Sequence, residues 1–154
     1  MLENFITDEL RDYDNAKELF KNGKYEIYHL IDQNERLGFI TLWHLDGFTF
    51  AEHFVIYEEY RNNGCGRQML LSLEEIYPKI VLESELPIEH IQKRRISFYK
   101  RCGFFQNEQP YMQPSYRNGG NEVPLVIMSY PTPLNDFDSV VSQIHEKVYS
   151  KKLK

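Results

Sequence analysis

The stretch Arg61-Asn62-Asn63-Gly64-Cys65-Gly66-Arg67 constrains this chain more than any other. An alternating apolar run precedes it (Phe48, Phe50, Phe54, Ile56), and a helical pattern follows it (Met69, Leu70, Leu73, Ile76, Tyr77). The spacing predicts a strand, a glycine-bearing turn and a helix. The first backbone N–H groups of a helix have no partners within it. The helix dipole adds partial positive charge at that end, and glycine lets the backbone adopt positive φ and approach a ligand closely. Such a junction is an anion cradle suited to phosphate oxygens. Arg61 and Arg67 are placed to add charge-assisted contacts. Two phosphate schemes are excluded. A P-loop needs Gly-Lys-Ser/Thr after its second glycine, where this chain has Arg67-Gln68. The dinucleotide fingerprint needs a third glycine, which does not follow at the right distance. On these residues alone, a plain polar turn between strand and helix stays open as the alternative.

The flanking chain supplies the rest of a mixed sheet. Residues 2–6 read as a short first strand, and Thr7 or Asp8 caps a helix that ends at Asn22-Gly23. Tyr25, Ile27, His29 and Ile31 alternate, residues 32–35 form a turn, and residues 37–45 read as a second strand. Asp46-Gly47 is a hairpin signal, and residues 48–57 form a third strand, completing an antiparallel meander. The helix after the glycine turn spans roughly residues 64–77 and is stopped by Pro78. Residues 79–86 return as a strand parallel to the third, because strand–helix–strand is a crossover unit. Ile91, Ile96, Phe98, Tyr99 and Cys102 mark a second helix ending at Gly103. A strand from Phe104 toward Tyr111 and a last strand over 122–130 pair across the loop 113–121. Pro131 and Pro133 break the sheet. Residues 134–152 read as a C-terminal helix with the apolar stripe Leu134, Phe137, Val141, Ile144 and Val148. That stripe is a packing face against the domain, with a homodimer interface as the other use.

The whole is expected to be one α/β domain over residues 1–154, with the C-terminal helix appended. The chain has 154 residues, in the commonest domain range, and 11 Tyr with 10 Phe supply large core surfaces. A net charge of −5 argues against nucleic-acid partners and against an anionic membrane surface. Glu3, Asp8 and Glu9 interrupt any apolar leader, and no apolar run reaches the length of a membrane helix. Cys65 and Cys102 are too few for a disulfide framework. The expected setting is therefore a reduced cytoplasm. His44, Glu89 and His90 make no metal-like cluster, and no metal is expected.

Two motifs in fixed order now stand on this scaffold. Arg61-x-x-Gly64-x-Gly66 opens the first crossover helix, and Tyr99-Lys100-Arg101-Cys102-Gly103-Phe104 closes the next. Together they resemble the GNAT superfamily of acyl-CoA-dependent N-acyltransferases, whose cofactor loop reads Arg/Gln-x-x-Gly-x-Gly/Ala. Its second signature is a helix-ending tyrosine followed by Gly-Phe. The resemblance runs from about Lys24 to Tyr130. It implies a GNAT-like fold, a mostly antiparallel sheet that splays open at one parallel strand pair, with helices on both faces. It also implies acetyl-CoA as cosubstrate, its pantetheine arm beside Val55 and Ile56. The pyrophosphate would lie on the N–H groups of roughly Asn63 to Arg67, with Arg61, Asn62, Asn63, Gly64, Cys65, Gly66 and Arg67 as the cofactor loop. Gln92 stands where the family often has Asn, and Glu58 where a proline is common.

Acyl transfer from a thioester needs a neutral amine, a base for its proton, donors for the oxyanion and a proton for the departing thiolate. The resemblance makes Tyr99 that last donor, also in contact with the cofactor. Candidates for the base or for amine binding are Glu83 and Glu85, on one face near the end of the parallel strand, and Glu52 on the third strand. Two such close carboxylates raise one another's proton affinity. By the two-residue period Glu52 and His53 face opposite sides, and His53 reads as a structural histidine. Tyr111 and the 113–121 loop are read either as a lid over the acceptor or as ordinary hairpin packing. The expected activity is transfer of acetyl to a primary amine of a small molecule or peptide by direct attack. The alternative is a non-catalytic CoA-binding or partner-binding module on the same fold.

Overall fold

The computed structural model describes residues 24–115 and 120–149. The expected strand over 2–6, the helix over 7–23 and the chain end from 150 lie outside the described residues. Strands β1 (Tyr25–Asp32), β2 (Glu35–Leu45) and β3 (Phe48–Ile56) form the antiparallel meander that their alternation predicts. Gly47 takes the β2–β3 turn at φ 88°, a conformation that glycine adopts without steric cost. Helix α1 (Cys65–Ile76) leads to β4 (Ile80–Glu85), and helix α2 (His90–Arg101) follows. Then come β5 (Phe105–Gln106), β6 (Tyr111–Gln113), β7 (Val123–Tyr130), helix α3 (Phe137–Gln143) and a π-helical turn, Ile144–Val148. The sheet order is β1-β2-β3-β4-β7-β5, with β6 also on β7. Among the described residues β3 and β4 are the one parallel pair.

Two elements differ from the sequence expectation. The strand from Phe104 toward Tyr111 is two short strands on the same neighbour, β7. Between them Asn107 turns inward, where its N–H and Nδ2 both reach the Ile127 carbonyl, at 2.9 and 3.1 Å. Pro110 has no N–H to offer a ladder. At the C-terminus the α-helical part is short, and Val140 takes the buried position expected of Val141. Asp136 occupies the N-cap, but its carboxylate goes to Lys79 at 3.4 Å rather than to the helix.

The sheet carries a core on each face. On one, Ile40, Leu42, Ala51, Ile80 and Leu82 pack against Met69, Leu70 and Leu73 of α1 and Ile96 and Tyr99 of α2. On the other, Trp43, Phe48, Phe50, Val81 and Ile127 pack against Leu134, Phe137, Val140, Ile144 and Val148. The C-terminal stripe is thus spent inside the chain. Each large apolar side chain so buried contributes about 1.5–3 kcal/mol before entropy is counted.

The sheet forks at its parallel pair. Pairing runs through Thr49↔Ile80, Phe50↔Val81 and Ala51↔Leu82, then stops. Beyond that point β3 stays with β2 as far as Ile56↔Gly38, while β4 stays with β7 as far as Glu85↔Leu125. The fork therefore opens between residues 52–56 and 83–85, where the resemblance implied a splay.

Candidate active site

The helix α1 N-terminus sits beyond the end of β3. A 3-10 turn, Glu58–Tyr60, leads into Arg61, whose Nε donates to the Ile56 carbonyl at 2.8 Å and ties the loop to the strand end. Asn62 and Gly64 both have positive φ, 69° and 79°. Gly64 is the helix N-cap, and the first intrahelical bond runs from Gln68 N–H to its carbonyl at 3.0 Å. The N–H groups of Cys65, Gly66 and Arg67 precede that bond and have no partner within the helix. No acidic residue stands in the first turn to compete for them. Asn62, Asn63, Gly64 and Arg67 are exposed, and Cys65 and Gly66 are half-buried. Gly66 has a packing reason as well. A Cβ there would lie 3.2 Å from the Phe98 ring and 3.4 Å from the Phe54 ring, so glycine lets α1 close onto β3 and α2. The glycine-turned helix N-terminus expected from the sequence is therefore present, and it lies at the end of the strand that forms one wall of the fork.

Helix α2 begins with a capping box in which Gln92 Oε1 accepts from the N–H groups of Glu89 and Ile88, at 3.0 and 3.2 Å. The Gln92 side chain is therefore engaged at its own helix end. Two residues before the other end, Tyr99 is buried between Phe98 and Phe104, with ring centroids 5.5 and 6.0 Å away. Burial pushes its hydroxyl up to about 12, with the Arg95 charge pulling the other way. Tyr99 is therefore protonated at any neutral pH, as a proton donor has to be.

The carboxylates fall out differently from the sequence expectation. Leu42 pairs with Ala51 and Thr41 with His53, so Glu52 is the extra residue of a β-bulge. The bulge puts Glu52 and His53 on one face rather than on opposite faces. Their side chains meet at 3.7 Å, and Glu52 also accepts from Trp43 Nε1 at 2.8 Å. Glu83 and Glu85 make separate contacts. Glu85 is exposed and paired with Arg95 of α2 at 2.5 Å. Glu83 turns into the second core, where its carboxylate accepts from Tyr111 Oη, from Tyr149 Oη at 2.8 Å and from Gln113 Nε2 at 2.9 Å. Burial raises the proton affinity of Glu83, its three donors offset part of this, and the Glu52 charge adds to the rise. Tyr111 packs inward to this group. Tyr149, Gln113 and Trp43 were missed by the sequence reading, because no spacing links four distant segments.

The two faces of the fork thus carry opposite chemistry. Tyr99 belongs to the core under α1 and α2, and Glu52 and Glu83 border the core under the C-terminal helix. A sheet forked at a parallel pair, with a glycine-turned helix N-terminus at the fork and a buried tyrosine on the adjacent helix, is the architecture of the acyl-CoA acyltransferases. The family model for an acetyltransferase (GNAT) domain matches residues 23–106. A GNAT-family protein from Bacteroides thetaiotaomicron is 34% identical over 98% of this chain and 88% of its own, with a TM-score of 0.91. A Bacillus subtilis acetyltransferase in complex with CoA shares the fold at a TM-score of 0.56 and 16% identity, over 76% of this chain and 82% of its own. So does a GNAT family acetyltransferase from Elizabethkingia anophelis with acetyl-CoA bound, at 0.54 and 16%, over 84% and 92%. A comparison with curated proteins found no match. The chain belongs to the GNAT acetyltransferase family.

Proposed function

We propose that this protein transfers acetyl from acetyl-CoA to a primary amine of a small molecule or peptide, by direct attack without a covalent enzyme intermediate. The observation that carries the reading is the fork itself, with a proton donor on one face and a buried carboxylate on the other. In this reading the loop from Arg61 to Arg67 holds the pyrophosphate, on the free N–H groups of Cys65, Gly66 and Arg67. Residues Val55 and Ile56 flank the pantetheine along the β3 edge that β4 has left. Acetyl-CoA supplies an acetyl thioester. The acceptor nitrogen forms a C–N bond to the acetyl carbon, and the C–S bond breaks. Glu52 takes the proton shed by nitrogen, directly or through water. Tyr99 gives its hydroxyl proton to the departing sulfur and regains one from solvent. Backbone N–H groups beside Val55 and Ile56 face the developing oxyanion. The exposed Glu85 and the buried Glu52 and Glu83 favour an acceptor that arrives as a cation, which gives up one proton to water to become the neutral amine before it attacks.

Isothermal titration with acetyl-CoA tests the first half, and absence of binding at high micromolar concentration would refute it. Turnover across a panel of amines tests the second half. Tyr99→Phe is expected to lower kcat about a hundredfold with acetyl-CoA affinity nearly unchanged. Unaltered turnover would remove Tyr99 from the acid role. Binding without turnover of any amine would favour the non-catalytic module instead.

A further inference from the structure

Phe50 and Val81 are paired across β3 and β4, and both lie in the second core. Two residues further along each strand, just past the last paired position, stand Glu52 and Glu83. Paired strands run about 5 Å apart, the last such pair here is Ala51↔Leu82, and Glu52 and Glu83 are the next residue on each strand, where the separation begins. The Glu52 side chain is 1% exposed, so little water separates it from its neighbours. Around Glu52 stand Trp43 of β2, His53 of β3 and Glu83 of β4. Around Glu83 stand Tyr111 and Gln113 of β6 and Tyr149, which follows the π-helical turn. The His145 ring packs against Tyr111 and Tyr149 at 5.5 and 6.3 Å, and burial lowers its proton affinity against the opposing pull of the Met112 backbone and the Glu122 charge.

We propose that Glu52 and Glu83 form one coupled carboxylate pair, and that Tyr149, Tyr111 and Gln113 are positioning residues that set its upper proton affinity. This rests on the reading of the fork as the acetyl-transfer site. Two carboxylates this close lose their protons in two steps that belong to the pair. The fully ionised pair accepts the proton shed by the acceptor nitrogen, becomes singly protonated, and returns that proton to water. Its affinity for that proton is the upper one. Like charge and burial raise it toward neutrality, where a base is most effective. The three donors on Glu83 stabilise its ionised form and keep that affinity from rising too far. The C-terminal segment thereby acts on the reaction through Tyr149.

The test is a carbon-13 titration of the full chain labelled at glutamate Cδ, followed by NMR across the neutral range, with the Glu52 signal assigned by its loss in Glu52→Gln. Two coupled steps are expected on Glu52 and Glu83. Glu83→Gln is expected to leave Glu52 with one step, lower by about one pH unit or more, a tenfold change. Tyr149→Phe removes a donor to the anion, so the upper step moves up, and Tyr111→Phe moves it the same way should Tyr149→Phe fail to fold. A merely structural role lowers the melting temperature of these variants and leaves both midpoints in place. A single Glu52 step unmoved by Glu83→Gln, or an upper midpoint unmoved by loss of either tyrosine hydroxyl, overturns the proposal. A parallel acetyl-CoA titration of the unaltered protein keeps the outcomes distinct, since failure to bind overturns the functional reading and not the coupling.

Discussion

Gly64 shows how a single backbone angle carries a site. Its φ of 79° lies where an L side chain costs about 1–2 kcal/mol. Nothing within 4 Å would meet an added Cβ, so space is not the constraint and conformation is. Gly64→Val is expected to keep the fold by circular dichroism and to weaken acetyl-CoA binding by tenfold or more in a titration. Gly64→Asn, which tolerates this region better, is expected to lose less. Equal affinity in both variants would take the phosphate away from this loop. The glycine spacing is legible in the sequence, because backbone preference is a local property. The fate of Glu83 and Glu85 is not, because strand period says which face a side chain leaves from and not what it meets. Arg95 draws Glu85 outward, and the two tyrosines draw Glu83 inward.

At the scale of elements, the breaks in regularity matter most. The bulge at Glu52 reverses a facing that a perfect strand would have had. The break between β5 and β6 is organised by Asn107, which is buried and fully used. Its Nδ2 reaches the Ile127 carbonyl and Ser129 Oγ at 3.1 and 2.9 Å, and its Oδ1 accepts from Leu134 N–H at 2.8 Å. The last bond joins the sheet to the start of the C-terminal arm. Asn107→Ala leaves a buried N–H without an acceptor, so a loss of about 1–3 kcal/mol is expected in urea unfolding. A change of a few tenths would show that water replaces the side chain at no cost. Neither break is written in a periodicity, since both are exceptions to one.

Across the whole molecule, two cores share one sheet, and the junctions between layers hold titratable groups. Glu74 of α1 is one. Its Oε2 is buried without a partner among the described residues, and burial pushes the carboxyl from 4.5 up to about 7, against a smaller opposing pull from Arg67. The folded state thus holds a proton that the unfolded chain gives up earlier. Stability from this group is full below pH 4.5 and is lost as pH rises through about 7. Thermal melts across that window are expected to fall with rising pH, and Glu74→Gln is expected to flatten the fall. An identical pH profile in the variant would mean that Glu74 reaches water or a cation in the folded protein.

The sequence by itself determined the meander, the crossover and the glycine-turned helix, because each rests on local periods and backbone preferences within a dozen or so neighbouring residues. It also determined the place of Tyr99, through a motif that sits on one helix end. Tertiary structure alone decided which carboxylates share the fork. Glu52 and Glu83 are thirty-one positions apart by number (83 less 52), and Tyr149 stands sixty-six beyond Glu83. Their meeting depends on where β3 and β4 part company, on one bulge, and on how the C-terminal helix packs. Burial then raises the proton affinity of Glu83, and burial is a property of the assembled molecule rather than of any segment in it.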